Sequence, residues 1–553
     1  MSRSTRRYQL TIDDVYDKIG HFGFSQKFGW NQRLYCIGFS VLQFFLAFHM
    51  LLNVFTGLDP TFKCFARDGS SKNEPLINQC IEDTPQKCSL TYTTEYKSFA
   101  SEWNLICNEK YKVALVQSIW MGGVMTGALV LGGVADVIGR LKTLMMALLG
   151  TIAFEGFSAF APTLVVMAML RYLGGICCAL VILVSFVFSQ ELVGMDWRSF
   201  CGIFIAMSFA VGIGVFSALA SVMDTWRTLT FICSVSGIVF LILPCYIPES
   251  PRWLASQGRN DEAKEILEGM ARRNGKFSNL PTNWEISVTG NSKDESDKKP
   301  QGVGLLVSHP YVLLLTLIQI YSWFVNSATY YGLTIAASNL GGDAYVSTAL
   351  SGLIEIPACV VAIGIIDRIG RRLTLCGFMM IGGSACLCIQ FLPVQFVNVK
   401  TLLALCGKLS ISASFSVCYI HSAEIFPTAI RNSGMGIVSV AARVGGMLAP
   451  LILMLGDVLP NLQFTALGIM TFVAGVLNLK LPETLGQPMP ESVADILALR
   501  NLGKTGCSIK DYQYNKLETG EEETDTEVIM RPRSPFMRGK ITSEDQVCLI
   551  EEE

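Results

Sequence analysis

Five ionisable side chains stand inside long apolar runs of this sequence, and they are the residues best placed to do chemistry. They are Glu155, Arg171, Glu355, Lys408 and Arg443. A charge inside a membrane span costs about 2.5–3.5 kcal/mol on insertion scales, so each of the five needs a partner or a function. No nucleophile, base and orienting group come together in a recognisable motif. We therefore expect ion binding and not enzymatic catalysis.

Glu355 and Arg443 are the strongest candidates for contact with a solute, because each lies near the middle of its apolar run. A carrier that works by alternating access holds its solute at that depth. A guanidinium matches a carboxylate with two parallel hydrogen bonds, and an acid can neutralise a cation. The alternative is a structural bridge between the two side chains. Glu155, Arg171 and Lys408 lie nearer the outer ends of their runs, which favours structural or gating roles.

Aromatic side chains are expected around the cationic end of such a solute, because a quaternary ammonium is held best by aromatic faces beside an anion. The predicted set is Trp323, Tyr330 and Tyr331 in the seventh apolar run and Phe209 in the fifth. The alternative is that these rings face lipid or pack in the core. His49, in the first run, is expected to be a polar group whose hydrogen bonds are satisfied.

The composition places the chain in a membrane. Hydrophobic residues make up 51% of the 553 residues and charged residues only 16%, against about 25% charged in soluble domains. A bilayer core needs about 20 apolar residues per helix, and the sequence contains twelve such runs. They span residues 34–55, 113–134, 143–161, 164–190, 200–221, 227–247, 310–333, 345–366, 373–392, 401–422, 433–455 and 462–481. Lys and Arg fall in short clusters between the runs, so a nucleic-acid partner is not expected.

The distribution of basic residues predicts the orientation. If the N-terminus is cytoplasmic, the inner loops collect most of the Lys and Arg, and the short outer loops hold almost none. Both tails are then cytoplasmic. The first 30 residues are polar and contain no cleavable signal pattern. The predicted segments are residues 1–33, a first bundle at 34–247, a linker at 248–308, a second bundle at 309–481 and a tail at 482–553.

Two polar segments interrupt the regular alternation. Residues 56–112 form a predicted extracellular loop that contains Cys64, Cys80, Cys88 and Cys107. An even number of cysteines outside the cell predicts disulfides, with the pairing left open. No CxxC occurs and the four histidines are scattered, so no metal site is expected.

The linker 248–308 opens with a predicted helix over residues 262–273, with Asn260 and Asp261 as its caps. The remainder of the linker, including residues 292–299, is charged and poor in apolar residues, as is the tail from about residue 500. We expect both to be disordered.

The two halves of the chain repeat each other at a nearly fixed offset. Asp136 with Gly139-Arg140 recurs as Asp367 with Gly370-Arg371. The pair Glu191 and Arg198 recurs as Glu424 and Arg431, and Pro248-Glu249-Ser250 recurs as Pro482-Glu483-Thr484. The offsets are 231, 233, 233 and 234 residues. Parallel repeats of this kind are typical of a transporter whose site lies between the repeats.

These motifs resemble the major facilitator superfamily and, within it, solute carrier family 22, the transporters of organic cations, anions and zwitterions. The matching segments are GGVADVIGR (132–140), RYLGG (171–175), ELVGMDWR (191–198), PESPRWL (248–254), IDRIGRR (366–372), AEIFPTAIRNSG (423–434), ARVGGMLAP (442–450), LPETLGQPMPES (481–492) and WNLIC (103–107). The resemblance implies an all-α membrane protein of twelve transmembrane helices, arranged as two six-helix bundles with pseudo-twofold symmetry.

The resemblance also assigns a role to the repeated charges. It implies that Asp136, Arg140, Glu191 and Arg198, with the copies Asp367, Arg371, Glu424 and Arg431, form a cytoplasmic gating network that latches the outward-open state. The alternative is a set of solvated loop charges, each of which contributes little.

The resemblance also predicts a class of substrate, mainly from the residue at the position of Arg443. The family's cation transporters carry an acid where this chain has Arg443, and its anion transporters carry Arg there with a Lys at the position of Cys359. This chain has the Arg without the Lys and keeps Glu355 in LIEIPA (353–358), which resembles the carnitine-type members.

The expected function is therefore the transport of an organic zwitterion such as carnitine or a related betaine across the plasma membrane. Exchange of organic anions and then polyspecific transport of organic cations are the alternatives, and a substrate sensor that does not transport is the alternative from another class. We expect no cofactor and a functional monomer in the lipid bilayer. Coupling to Na⁺ or H⁺ is left open.

Overall fold

The computed structural model of the chain describes residues 8–20, 28–66, 76–77, 88–94, 96–130, 133–281, 283–286, 309–337, 343–393, 395–426, 431–485, 490 and 496. Within these residues, eleven helices are long and apolar enough to cross a membrane, and a shorter apolar helix makes a twelfth. The first six are Trp30–Thr56, Tyr111–Val130, Arg140–Ser158, Leu164–Glu191, Met195–Ser221 and Trp226–Ser236, the last continued by a 3₁₀ segment at Gly237–Cys245. The second six are Pro310–Ala336, Ala344–Leu353 with Glu355–Ile369, Arg371–Gln390, Val397–Ile425, Arg431–Leu453 and Leu462–Asn478.

The eighth membrane helix is broken directly before Glu355. Pro357 has no N–H, so the carbonyl of Leu353 loses its helical donor and the helix is interrupted at Ile354. Glu355 consequently begins the second segment of the helix, at mid-depth in the bundle.

The packing of the helices repeats in the two halves. The first helix packs on the fifth as the seventh packs on the eleventh, and the third packs on the fourth and sixth as the ninth packs on the tenth and twelfth. Between the halves, the second helix packs on the eleventh and the fifth on the eighth, which is one pairing repeated by a twofold axis. The predicted all-α fold of two related six-helix bundles is confirmed.

The two halves contact each other at the end of the molecule that carries the described residues between 57 and 110, which we name the loop end. The ring of Phe55 stacks on Tyr345 with centroids 5.0 Å apart. A Cβ at Gly352 would clash with Ile213 of the other half, so glycine allows the fifth and eighth helices to meet closely. The conformation is therefore closed at the loop end.

The loop end also carries a small sheet that hydropathy does not predict. The strand Phe62–Ala66 lies between two antiparallel neighbours, Leu76–Ile77 and Cys88–Tyr92. Cys107 is disulfide-bonded. The side chains of Cys64 and Cys88 and the whole of Cys80 lie outside the described residues, so the pairing stays a prediction.

The opposite end, which we name the linker end, is more ordered than expected. The strand Tyr8–Leu10 pairs in parallel with Trp284–Ile286, and the amphipathic helix Ile12–Ile19 packs beside the linker helix Asn260–Arg273. The expectation of a disordered linker beyond residue 273 is wrong up to residue 286, because Trp284 is buried against this cluster. Residues 287–308 and almost all of the tail lie outside the described residues.

The start of the linker helix also differs from the prediction. The helix begins at Asn260, and its N-cap is Arg259, which makes no side-chain capping hydrogen bond. Asn260 and Asp261 therefore lie inside the first turn, where the acid still interacts favourably with the helix dipole.

Candidate functional site

Each half carries a turn at the linker end that is closed by a distant carboxylate. In the first half, Gly139 has φ +115°, and the third membrane helix begins at the next residue. Glu249 accepts hydrogen bonds from the backbone N–H of Arg140 at 3.0 Å and of Leu141 at 3.1 Å. The carboxylate thus caps the positive end of the helix. A Cβ at Gly139 would lie 2.7 Å from Glu249, so the turn needs glycine for space as well as for φ.

The second half repeats this turn. Gly370 has φ +98°, and Glu483 accepts from the backbone N–H of Arg371 at 2.8 Å and of Arg372 at 3.1 Å. The sequence shows Glu249 and Glu483 only as members of the repeated Pro-Glu-Ser/Thr motif. Their role as helix caps was not predicted.

The predicted gating residues lie together around these turns. Arg140 pairs with Asp136 at 2.5 Å and with Glu191 at 3.0 Å. The second half repeats the arrangement, because Arg371 pairs with Asp367 at 3.1 Å and with Glu424 at 3.2 Å. Each of these ion pairs joins two residues of the same half.

Arg198 and Arg431 are the exceptions in the gating set. Arg198 lies 3.6 Å from Asp13, and among the described ion pairs none joins it to Glu191. Asp13 also pairs with Arg252 at 2.5 Å, so the N-terminal helix Ile12–Ile19 is held against the gating cluster. Arg198 is therefore paired with Asp13, while it also lines one pocket together with Glu191 and Arg252. Its place in a gating network stays a prediction. The side chain of Arg431 lies outside the described residues.

In the second half a lysine lies on the predicted acid, in a group of residues around Glu355, Tyr330 and Arg443 that we name the central cluster. Lys408 Nζ lies 3.0 Å from Glu355 Oε1, and the hydroxyl of Tyr330 donates to the same oxygen at 2.6 Å. The ammonium also donates to Thr334 Oγ1 at 2.6 Å and lies 3.0 Å from the centroid of the Tyr330 ring. The structural or gating role expected for Lys408 stays a prediction, but the residue lies against the acid predicted to bind the solute. The tenth helix turns this residue toward the eighth.

Arg443 is left without an acid. Its Nη1 donates to the carbonyl and hydroxyl of Ser439, at 3.1 Å and 2.6 Å, and its side chain also contacts Tyr419. Its Nε is buried without a hydrogen-bond partner, and no described carboxylate lies within ion-pair distance. The alternative of a structural bridge between Glu355 and Arg443 is therefore not observed.

Aromatic rings connect the two charged positions. Tyr330 contacts Tyr331 and Phe415, with centroids 5.1 Å and 6.1 Å apart. Trp323 contacts Tyr419 at 4.3 Å and Phe415 at 5.9 Å. Two of these rings, from the tenth helix, were not predicted.

The other two predicted aromatics differ in their surroundings. Trp323 is only 1% exposed and donates to Ser422, so it is part of the core of the second half. Phe209 packs against the apolar cores of the first half, and no ring contact among the described residues joins it to the other predicted aromatics. The spacing i, i+7, i+11 of Lys408, Phe415 and Tyr419 places them on one helical face, which is the signal that could have identified the two missing rings.

The remaining buried charges pair with each other in the first half. Arg171 donates to Glu155 at 2.6 Å, and Trp120 Nε1 donates to the same carboxylate at 2.8 Å. Both charged side chains are fully buried, in agreement with a structural role. His49 differs from the expectation, because neither ring nitrogen has a hydrogen-bond partner among the described residues and the ring packs on Phe45.

Two matching bundles of membrane-length helices define a multi-pass membrane protein. The sequence matches the family described as sugar (and other) transporters over residues 71–494. The fold matches the inward open conformation of the xylose transporter XylE from E. coli with a TM-score of 0.59 at 18% identity, covering 85% of this chain and 99% of that one.

Relatives of known class resolve the family further. Solute carrier family 22 member 15-like of Xenopus laevis is 36% identical over 493 residues, covering 88% of this chain and 96% of the relative. The organic cation transporter protein of Drosophila melanogaster is 33% identical over 525 residues, and organic anion transporter 3 of Oryctolagus cuniculus is 30% identical over 513 residues. Each comparison covers 88% of this chain and 94% of the relative. The chain therefore belongs to solute carrier family 22 of the major facilitator superfamily, a family of transporters and not of enzymes.

Proposed function

We propose that the chain transports an organic zwitterion, carnitine or a related betaine first, by alternating access across the plasma membrane with both termini in the cytosol. The observation that carries the proposal is the state of Arg443, a partly buried cation in a membrane-spanning helix that lacks an acidic partner. Such a charge without a counter-ion is costly, and a bound carboxylate lowers that cost.

The anionic end of the solute has a suitable receptor in this side chain. Nη1 of Arg443 is held by Ser439, which orients the planar guanidinium, and Nε has no partner. A carboxylate is the group that matches such a fork of donors. Tyr331 and Tyr419 lie beside Arg443 and could line the carboxylate's other side.

The cationic end is assigned to the position that the Lys408 ammonium now occupies. That ammonium is in contact with one carboxylate and with the face of Tyr330. An anion beside an aromatic face is also the environment that a quaternary ammonium requires. In this proposal the side chain of Lys408 swings aside when the solute binds, and Glu355 changes its partner.

Organic anions are the second candidate, and the same ion pair favours them. Because Lys408 neutralises Glu355, the positive charge of Arg443 is left unbalanced in the central cluster. If Lys408 remains on Glu355 during transport, a solute with only a carboxylate would satisfy the site. The two candidates therefore differ in whether Glu355 contacts the solute.

Uptake by cells that express the chain tests the proposal. Labelled carnitine, tetraethylammonium and p-aminohippurate represent the zwitterion, the cation and the anion. Each is measured with and without sodium and normalised to the surface amount of protein. Arg443→Ala should lower carnitine uptake by about 10-fold or more, the value of one charge-assisted hydrogen bond, while cation uptake is retained. Glu355→Gln should lower carnitine uptake and spare the anion.

The outcomes separate the alternatives. Unchanged carnitine uptake in both variants would refute the zwitterion assignment. Loss of p-aminohippurate uptake in Arg443→Ala, with no effect of Glu355→Gln on any solute, would favour the organic anion. Absence of saturable uptake and of trans-stimulation for all three solutes would favour a sensor that does not transport.

A further inference from the structure

A polar chamber lies at the loop end, between the two halves and apart from Glu355 and Arg443. Its volume is about 440 Å³. The first half contributes the ends of the first and second membrane helices, and the second half contributes the ends of the seventh, eleventh and twelfth. The polar side chains that line it are Asn53, Asp59, Lys110, Gln117, Asp457 and Gln463.

The lining offers oxygen atoms that lack donors. Asn53 and Gln117 are only 6% and 5% exposed, yet the amide oxygen of each accepts no hydrogen bond within the described part of the chain. The amide oxygen of Gln463, from the other half, is also buried and unpartnered. An unsatisfied buried acceptor costs free energy, so three of them around one chamber indicate a ligand that supplies positive charge or donors.

Lys110 shows what kind of group the chamber can hold. Its ammonium lies 3.0 Å from Asp59 and 2.9 Å from Asp457, which belong to opposite halves. It is the only basic residue among the described residues that line the chamber. Two carboxylates against one ammonium leave a net negative lining, so the chamber electrostatically favours a further cation.

The chemistry of the lining narrows the class of cation. No aromatic residue is among the described residues that line the chamber, so it lacks the cage that a quaternary ammonium prefers. Carboxylate and amide oxygens instead suit hard cations and ammonium groups that carry N–H donors. In this respect the loop-end chamber differs from the surroundings of Glu355, where aromatic rings accompany the acid.

We propose that the loop-end chamber binds a small monovalent cation, either Na⁺ or an ammonium that bears N–H groups, in competition with Lys110. The cation would be held by Asp59 and Asp457 with the amide oxygens of Asn53 and Gln117. Lys110–Asp457 is the only ion pair between the halves among those whose two partners are described. A cation held by Asp59 and Asp457 would therefore take over from Lys110 the bridge between the halves at the loop end.

Thermal unfolding of the purified full-length chain in detergent tests this site without assuming a transported solute. NaCl or methylammonium chloride is titrated against choline chloride at constant ionic strength, and the midpoint concentration of the rise in Tm is measured. Lys110→Met should lower that midpoint by about tenfold or more, because a charge-assisted competitor is removed. Asp457→Asn should abolish the rise. If Asp457→Asn does not fold, Gln117→Leu tests the site instead and should raise the midpoint.

The neighbouring ion pair of Lys112 and Glu109 supplies matched controls. It lies within the first half, and neither residue lines the chamber. Lys112→Met and Glu109→Gln should leave the midpoint unchanged. A rise with NaCl alone assigns an inorganic ion, and a rise with methylammonium alone assigns an organic ammonium. The proposal is overturned if neither salt exceeds choline, or if Lys110→Met and Lys112→Met behave alike.

Discussion

Removing the ammonium of Lys408 should increase the transport of organic cations. In the described conformation this ammonium lies 3.0 Å from Glu355 Oε1 and 3.0 Å from the ring centroid of Tyr330, and its side chain is only 1% exposed. An organic cation that uses the acid must first displace it. The variant Lys408→Met keeps the volume and the apolar stem of the side chain and removes only the competing charge.

The magnitude follows from the contact that is removed. A charge-assisted hydrogen bond contributes about 1.5–3 kcal/mol, so kcat/KM for a cation should rise by about 10-fold to 150-fold. The change also carries a stability cost. Leaving Glu355 as an unpaired buried charge should destabilise the protein by about 3–5 kcal/mol in the absence of a cationic solute.

Uptake of labelled tetraethylammonium, divided by the surface amount of protein, is the measurement. Lys400→Met is the matched control, because Lys400 is on the same helix and buried but contacts Asn461. Lys408→Met combined with Glu355→Gln should lose the gain, because the acid that attracts the cation is then neutral. An equal rise in the control or in the double variant, or no rise at equal surface amount, would refute the reasoning.

Three further predictions concern the framework. Gly370→Ala should reduce folded protein in size-exclusion chromatography, because its Cβ would lie 2.6 Å from the capping carboxylate at φ +98°, whereas Gly364→Ala meets open space and should be silent. Glu155→Gln or Arg171→Met alone should lower stability by about 3–5 kcal/mol, and the two combined should recover much of it, as thermal unfolding would show. Glu249→Ala should lower Tm more than Glu249→Gln, which keeps an acceptor for the helix N-terminus.

The membrane helices could be predicted from the sequence because their signal is local. The run at 164–190 and the helix Leu164–Glu191 differ by one residue, since a bilayer demands about 20 consecutive apolar residues whatever the rest of the chain does. The repeat of Gly139-Arg140 as Gly370-Arg371 likewise predicted two matching halves, and the helix pairings repeat as a twofold axis requires.

The pairing of Glu355 with Lys408 could not be predicted in the same way. The two residues are on different helices, and their contact depends on how far each helix is rotated about its axis. A twelve-helix hydropathy pattern contains no information on that rotation. Depth along the helices placed Lys408 away from Glu355, whereas the structure places the two side chains 3.0 Å apart, next to the interruption of the eighth helix at Ile354.

The strand pairs at both ends of the molecule were missed for a related reason. Tyr8–Leu10 and Trp284–Ile286 are three residues each, and each is stable only because the other is present. A short segment in which apolar and polar residues alternate is as compatible with a loop as with a strand. Only the tertiary position of residues that are distant in sequence decides between them.

The ion pairs at the two ends of the molecule differ in whether they join the halves, and this difference matters for alternating access. At the linker end, Arg140 and Arg371 each pair with acids of their own half. At the loop end, Lys110 pairs with Asp457 of the other half, and the two side chains are 39% and 49% exposed.

An exposed pair of this kind contributes about 0–1 kcal/mol. The ring contact of Phe55 with Tyr345 adds a further 0.5–1.5 kcal/mol or so. These two contacts are small beside the packing of the fifth helix on the eighth and of the second on the eleventh. A solute or cation that prefers the open state by about 1.4 kcal/mol shifts the equilibrium between the closed and open states tenfold.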